Sequence, residues 1–182
     1  MAGWGRKLNL IIKMKKVFIS LLMALPLFSA AQQCIVKDCD DMTDKCSYYP
    51  RHNMILANEN KTVGFTLDAR IVEKNGQLSV ADIMVLSVNI GNCNENDKLI
   101  LMLSDSTKLS LVSWNKFNCE GNAWFSLRES DVNRLASNKI IKAYFQNGRS
   151  YDSFTQKIDG EDQNYFVKLI ADCKENKFTV KP

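Results

Sequence analysis

Leu99-Ile100-Leu101-Met102-Leu103 (LILML), then Ser104-Asp105-Ser106-Thr107 (SDST), then Lys108 to Trp114 (KLSLVSW) carry the reading on which the fold rests. Two short apolar runs flank four small polar residues, the pattern of an antiparallel hairpin with its turn at 104–107. Opposed positions in such a pair share a constant sum. Cys93 and Cys119 sum to 212, which centres on residue 106 and sets the two cysteines opposite each other at the ribbon's open end. A Cys93–Cys119 disulfide is therefore predicted. By the chain-entropy argument, closing a loop of this length contributes about 3–4 kcal/mol.

On both sides of this hairpin the chain continues as short strands. Cys46–Tyr49, Met54–Ala57 and Val63–Leu67 precede it, and Ala69–Glu73 and Gln77–Val80 flank the tight-turn pair Asn75-Gly76. Ile83 to Ile90 alternates, placing Met84, Leu86, Val88 and Ile90 on one face and Ser87 and Asn89 on the other. Ala123–Leu127 follows, then a short helix over Glu129–Asn138 with Val132 and Leu135 turned to a core. Lys139–Phe145 and Ser150–Ile158 form a second hairpin around Asn147-Gly148. Phe166, Leu169, Ile170 and Cys173, at i, i+3, i+4 and i+7, predict an amphipathic helix over Glu161–Cys173. Strands joined by tight turns pair antiparallel. The expected fold is mainly β, an antiparallel sandwich or rolled sheet with one short helix and a C-terminal amphipathic helix.

Met14-Lys15-Lys16, the apolar run Val17–Phe28 and the small exit residues Ser29-Ala30-Ala31 have the order of a secretory signal. The apolar core is too short for a membrane span, which needs about 20 residues. Residues 1–31 are read as the signal, with Met14 the expected start, 32–45 as an acidic, cysteine-containing tail, and 46–182 as a single β-rich domain. The product is expected to be secreted or periplasmic, or held at the cell surface. Five of the 24 basic residues and no acidic one lie before Gln32, so the exported part carries 19 basic against 20 acidic residues. Such a near-neutral domain lacks the charge expected of a nucleic-acid binder.

All six cysteines (Cys34, Cys39, Cys46, Cys93, Cys119, Cys173) follow the signal. An even count in an exported chain favours disulfides. No C-x-x-C occurs and His52 is the only histidine, so no metal site is expected. No cofactor motif is present. The pairing of Cys34, Cys39, Cys46 and Cys173 stays open among three connectivities or free thiols.

The densest polar-aromatic stretch is Ser113-Trp114-Asn115-Lys116-Phe117-Asn118-Cys119-Glu120-Gly121-Asn122. Trp114, Asn115, Asn118 and Asn122 form a candidate recognition surface on a loop, and Arg149, after Asn147-Gly148, is a candidate partner for an anion or acidic group, or else a solvated turn residue. The simpler reading is that Trp114 ends a strand and packs, the asparagines serve the turn backbone, and Gly121 supplies a positive φ. Asn92-Cys93-Asn94-Glu95-Asn96 should lie beside this stretch through the bridge. His52, between Arg51 and Asn53, reads as an exposed loop residue. Asp38, Asp40, Asp41 and Asp44 lack the glycine and distal glutamate of a calcium loop. Asn60-Lys61-Thr62 is a nominal N-glycosylation sequon, and Asp105-Ser106-Thr107 is similar to a short motif that some anaerobic Gram-negative bacteria O-glycosylate on exported proteins.

Asp41-Met42-Thr43-Asp44-Lys45, Gly91-Asn92-Cys93-Asn94-Glu95, the stretch Ser113–Asn122 and Asn147-Gly148-Arg149 together resemble a family of small exported proteins of gut-type anaerobic Gram-negative bacteria. The resemblance implies an exported location and a β-sandwich, and no activity. The function expected from sequence is a non-enzymatic binding or accessory domain with a protein or surface-glycan partner. The alternative is a hydrolase-like enzyme using carboxylates from separated loops, such as Glu95 and Glu120 at glycosidase-like separation. Alanine at Asn115, Asn118 and Asn122 is expected to spare stability and abolish capture of the partner.

Overall fold

Alternating runs become strands throughout the computed structural model, which describes residues 33–181. The signal expected at 1–31 lies outside the described residues. The strands are β1 (Ile35–Asp40), β2 (Lys45–Pro50), β3 (Met54–Ala57), β4 (Gly64–Lys74), β5 (Gln77–Val88), β6 (Lys98–Leu103), β7 (Lys108–Val112), β8 (Asn122–Ser126), β9 (Ile140–Gln146), β10 (Ser153–Lys157) and β11 (Thr179–Val180). They form three sheets, β11-β1-β2, β10-β9-β6-β7 and β3-β4-β5-β8, in which every pairing but β1 with β11 is antiparallel. The two four-stranded sheets pack face to face. Phe65 of β4 meets Phe145 of β9 at 5.6 Å between ring centroids and Phe154 of β10 at 6.2 Å. The expected mainly β, sandwich-like architecture is present.

Residues expected to be a tail instead open the domain. Ile35 is fully buried, and β1 pairs with β2 along its whole length, Cys39 opposite Cys46. Those two cysteines are bonded to each other, as are Cys93 and Cys119, while Cys34 and Cys173 are free thiols. Only Ile35 and Val36 in β1 are aliphatic, too short an apolar run, among four aspartates, to stand out as a strand.

The largest departure from the sequence reading lies in β5. Leu78 and Val80 are buried, as even positions; beyond them Ile83 and Val85 are buried and Leu86 and Val88 face water. Arg70 pairs with Asp82 but Ile71 pairs with Val80, leaving Ala81 unpaired as a bulge. One extra residue inverts the faces of the rest of the strand; Ile90, past the end of β5 and after Asn89 at φ 53°, is buried. Met84, Leu86 and Val88 therefore point outward, the reverse of what their apolar alternation suggests.

Two helices follow β8. The first, α1 (Glu129–Ser137), buries Leu135 and Asp131, and the Arg128 backbone N–H donates to Asp131 Oδ2 at 3.1 Å, tying the first turn. The second begins as a 3-10 turn (Gly160–Asn164) and continues as α2 (Tyr165–Lys174), shorter than expected from the apolar spacing. Its Phe166, Leu169, Ile170 and Cys173 are all buried, as that spacing predicts.

Candidate functional site

Three loops meet at one end of the domain: 89–97, 113–122 and 147–152. The predicted Cys93–Cys119 bridge joins the first two. Its register differs from the one that predicted it. Leu99 faces Leu111 and Leu101 faces Leu109, a constant sum of 210, whereas the isolated bridge Asn94–Asn118 sums to 212. Between Ser113 and Asn118 the second strand carries two more residues than the first carries between Asn94 and Asp97, and that excess forms the exposed loop.

A buried polar clamp holds the three loops together. Asp97 is fully buried; its Oδ2 accepts from Asn94 Nδ2 at 3.0 Å and its Oδ1 from the Gly148 N–H at 2.9 Å. Its own N–H donates to Ser113 Oγ at 2.8 Å. Asn147, also fully buried, donates from Nδ2 to the Cys93 carbonyl at 2.9 Å and accepts from the N–H groups of Arg149 and Ser150. A Cβ on Gly148 would lie 2.2 Å from the Glu95 carbonyl oxygen, so only glycine fits there. Asp97 went unremarked in the sequence, and Asn94, Ser113 and Asn147 stood out there only as members of polar loops and a turn, not as buried groups. The available signal was the density of Asn, Asp and Gly in two loops that a disulfide brings together.

The candidate amides work within their own loop. Asn115 Oδ1 accepts from the Trp124 N–H at 2.8 Å, and Asn118 Nδ2 donates to the Asn122 carbonyl at 3.1 Å. Asn118 Oδ1 accepts from the Glu120 N–H at 3.2 Å, and Asn122 Nδ2 donates to Glu120 Oε2 at 2.9 Å. Gly121 takes the positive φ of 77°. Beside the exposed Lys116 and Glu120, the loop presents two aromatic rings to water. Trp114 is 58% exposed and Phe117 50% exposed, and the Arg149 guanidinium lies 4.7 Å from the Phe117 ring centre while pairing with Glu95 at 3.4 Å.

Trp114 is anchored by a residue far away in sequence. Asp82, 1% exposed at the β5 bulge, accepts at Oδ1 from Trp114 Nε1 at 3.1 Å and from the Ser126 hydroxyl at 2.7 Å. Its Oδ2 accepts from Arg70 Nε at 2.6 Å. The Trp114 N–H also donates to the Trp124 carbonyl at 2.9 Å, which lays Trp114 along β8. Leu67, Val85 and Ala123 form a buried row across this sheet, so the rows beside it face outward. Those outward rows are Ile55-Thr66-Leu86-Asn122 and Asp68-Met84-Trp124. Ile55 is 64%, Leu86 43% and Val88 47% exposed. An apolar sheet face thus runs up to the pinned indole.

The remaining candidates fall outside this site. His52 is exposed and lies edge-on to Tyr165 at 5.8 Å. Asp40 closes the β1–β2 turn by accepting from the N–H groups of Met42 and Thr43, and Asp38 pairs with Lys181 at 2.8 Å. Glu95 and Glu120 each have their own partner, Arg149 and Asn122, at the surface. Asp105 accepts from the Thr107 N–H and hydroxyl in the exposed β6–β7 turn. Cys173 is buried, and burial beside Asp172 pushes its thiol up to about 12. Among the described residues no group of three His, Cys, Asp or Glu converges as a metal cage, and no helix is long and apolar enough to cross a membrane.

No known protein family, no curated protein and no solved structure matches the chain.

Proposed function

We propose that this protein is an exported, non-enzymatic binding domain that docks a protein partner on the outward face of β3-β4-β5-β8, at its Trp114 end. The observation that carries this reading is the state of Trp114. Its polar handle is satisfied by Asp82 at 3.1 Å, yet more than half of the side chain remains in water. An indole held in one place loses little freedom on binding, and rigid exposed aromatics beside apolar side chains are the usual anchors of protein interfaces. Leu86, Val88 and Ile55 extend the surface. Phe117 and Arg149, stacked on each other, supply a second anchor on the clamped loops.

Export rests on the signal pattern at 14–31 and on the resemblance to small exported bacterial proteins. Two disulfides suit an oxidising compartment. The experiment is quantitative binding of the labelled, disulfide-bonded protein to envelopes of the producing cells. Trp114→Ala, with an unfolding midpoint near that of wild type, should weaken binding by about 30-fold, the scale of a hot-spot residue. Leu86→Ser should weaken it as well. Unchanged binding by both variants would refute the proposal.

A further inference from the structure

The outward face of the other sheet has a different chemistry. Strands β6, β7, β9 and β10 contain no aspartate or glutamate, but they contain Lys98, Lys108, Lys142 and Lys157. Leu101 lies between Ala143 and Leu109, all three buried, so the adjacent rows face water. One outward row reads Lys157-Lys142-Met102-Lys108 and the next Thr155-Tyr144-Ile100-Ser110. A third reads Ser153-Gln146-Lys98-Val112. All four lysines are exposed.

Within the described residues Lys157 pairs with Asp159 at 3.1 Å, and Lys98, Lys108 and Lys142 have no carboxylate within ion-pair distance. Arg134 adds a cation at the rim, where its Nη2 donates to the Lys108 carbonyl at 3.1 Å. The nearest acid in that turn, Asp105, is engaged by Thr107. Since the exported part has one more acid than base overall, this cationic excess is local and is not the trace of a basic protein.

We propose that this face binds a linear polyanionic glycan, independently of the Trp114 surface. Four strands at about 4.8 Å spacing make a platform about 14 Å wide, and the row of Lys98 lies about 13 Å along the strands from that of Lys142. Only Lys108 and Lys142 share a pocket, and cations spread over the whole platform suit charges repeated along a chain better than one small anion. Lysines act as point charges without the fork geometry that a single bidentate carboxylate or phosphate would reward. A shallow pocket of about 200 Å³ opens among them, lined by Ile100, Met102, Lys108, Lys142, Tyr144 and Thr155. There Tyr144 offers a ring for a sugar to lie against, and Ser110, Gln146, Ser153 and Thr155 offer hydroxyl and amide partners. A lipid surface fits less well, because Ile100, Met102 and Tyr144 are only partly exposed and do not stand out from the face as inserting side chains would.

The test measures retention of the purified, disulfide-bonded protein on immobilised polygalacturonate and heparin. Neutral dextran, poly-glutamate and phosphatidylglycerol/phosphatidylcholine vesicles serve as the other arms. Retention on one or both polysaccharides, weakening with salt, is expected. The triple variant K98Q/K108Q/K142Q should bind at least about tenfold more weakly, the combined worth of three exposed charge contacts. K45Q/K74Q/K174Q, with the same change in net charge elsewhere on the surface, should bind like wild type. Tyr144→Ala should lower affinity without changing the salt dependence. No retention on either polysaccharide, equal loss in both triple variants, or preference for poly-glutamate or vesicles would each overturn the proposal.

Discussion

Trp114 Nε1 donates a hydrogen bond to Asp82 Oδ1 at 3.1 Å across 32 positions of sequence, from the end of one sheet to a bulge in another. That bond links the fold to the proposed function. The carboxylate is outward because Ala81 is unpaired, and it stays desolvated because Trp114, Arg70 and Ser126 surround it with donors. Charged acceptors with several donors hold geometry well, and they are expensive to leave unmatched.

Asp82→Ala should therefore be among the more damaging single changes on this sheet. It strands the Trp114 and Ser126 donors and removes the partner of Arg70, which is half exposed and keeps its water. A loss of about 2–3 kcal/mol is expected, measured as a lower urea midpoint. Acrylamide quenching of Trp114 should rise. An unshifted midpoint would mean that the indole is not held by this carboxylate.

Removal of the two disulfides should differ in cost. The Cys93–Cys119 bridge spans 26 positions and Cys39–Cys46 spans 7. Constraint of the unfolded chain then predicts losses of about 3–4 kcal/mol for C93S/C119S and about 2 kcal/mol for C39S/C46S. Denaturation of the two double variants side by side checks the order.

Asn115→Ala and Asn118→Ala should each lower stability by about 1 kcal/mol, since Asn115 satisfies the Trp124 N–H of β8 and Asn118 satisfies backbone groups of Glu120 and Asn122. This reverses the expectation drawn from sequence, in which these changes were neutral for folding. Faster amide exchange at Trp124 in Asn115→Ala would locate the effect.

Asp131 gives the domain an acid-sensitive contact. Burial opposes its charge, but hydrogen bonds from the Arg128 guanidinium and backbone N–H, together with the Arg128 charge, outweigh that and hold the carboxyl below its ordinary value. A carboxyl depressed in the folded state stabilises fully above its unfolded value of about 3.9, and that contribution is lost as pH falls through the lower folded value. Asp131→Asn should therefore destabilise at neutral pH and flatten the stability curve below about pH 4. Urea midpoints of both proteins between pH 2 and 7 provide the check.

Much of the secondary structure was legible because it is local. The 104–107 turn, the Asn75-Gly76 and Asn147-Gly148 hairpins and the Phe166–Cys173 stripe all follow from turn residues and from periods of 2 and 3.6 within a few positions. The Cys93–Cys119 bridge was legible too, although the ladder beneath it runs two units away from the sum that pointed to it. Strand β1 was not, because its apolar run is only Ile35-Val36 among four aspartates and its strand state depends on pairing with β2 and β11.

By itself, then, the sequence determined an antiparallel β-rich chain with two helices, one cross-linked ribbon and a loop rich in amides and aromatics. Only the tertiary structure decided which side of β5 is inside, which loop groups are bonded and which are offered to solvent, and that four lysines share one face. Side-chain periodicity reports neighbours along the chain. A single unpaired residue at Ala81, or an acceptor 32 positions away at Asp82, acts through pairing between strands, and no local pattern of residues records that.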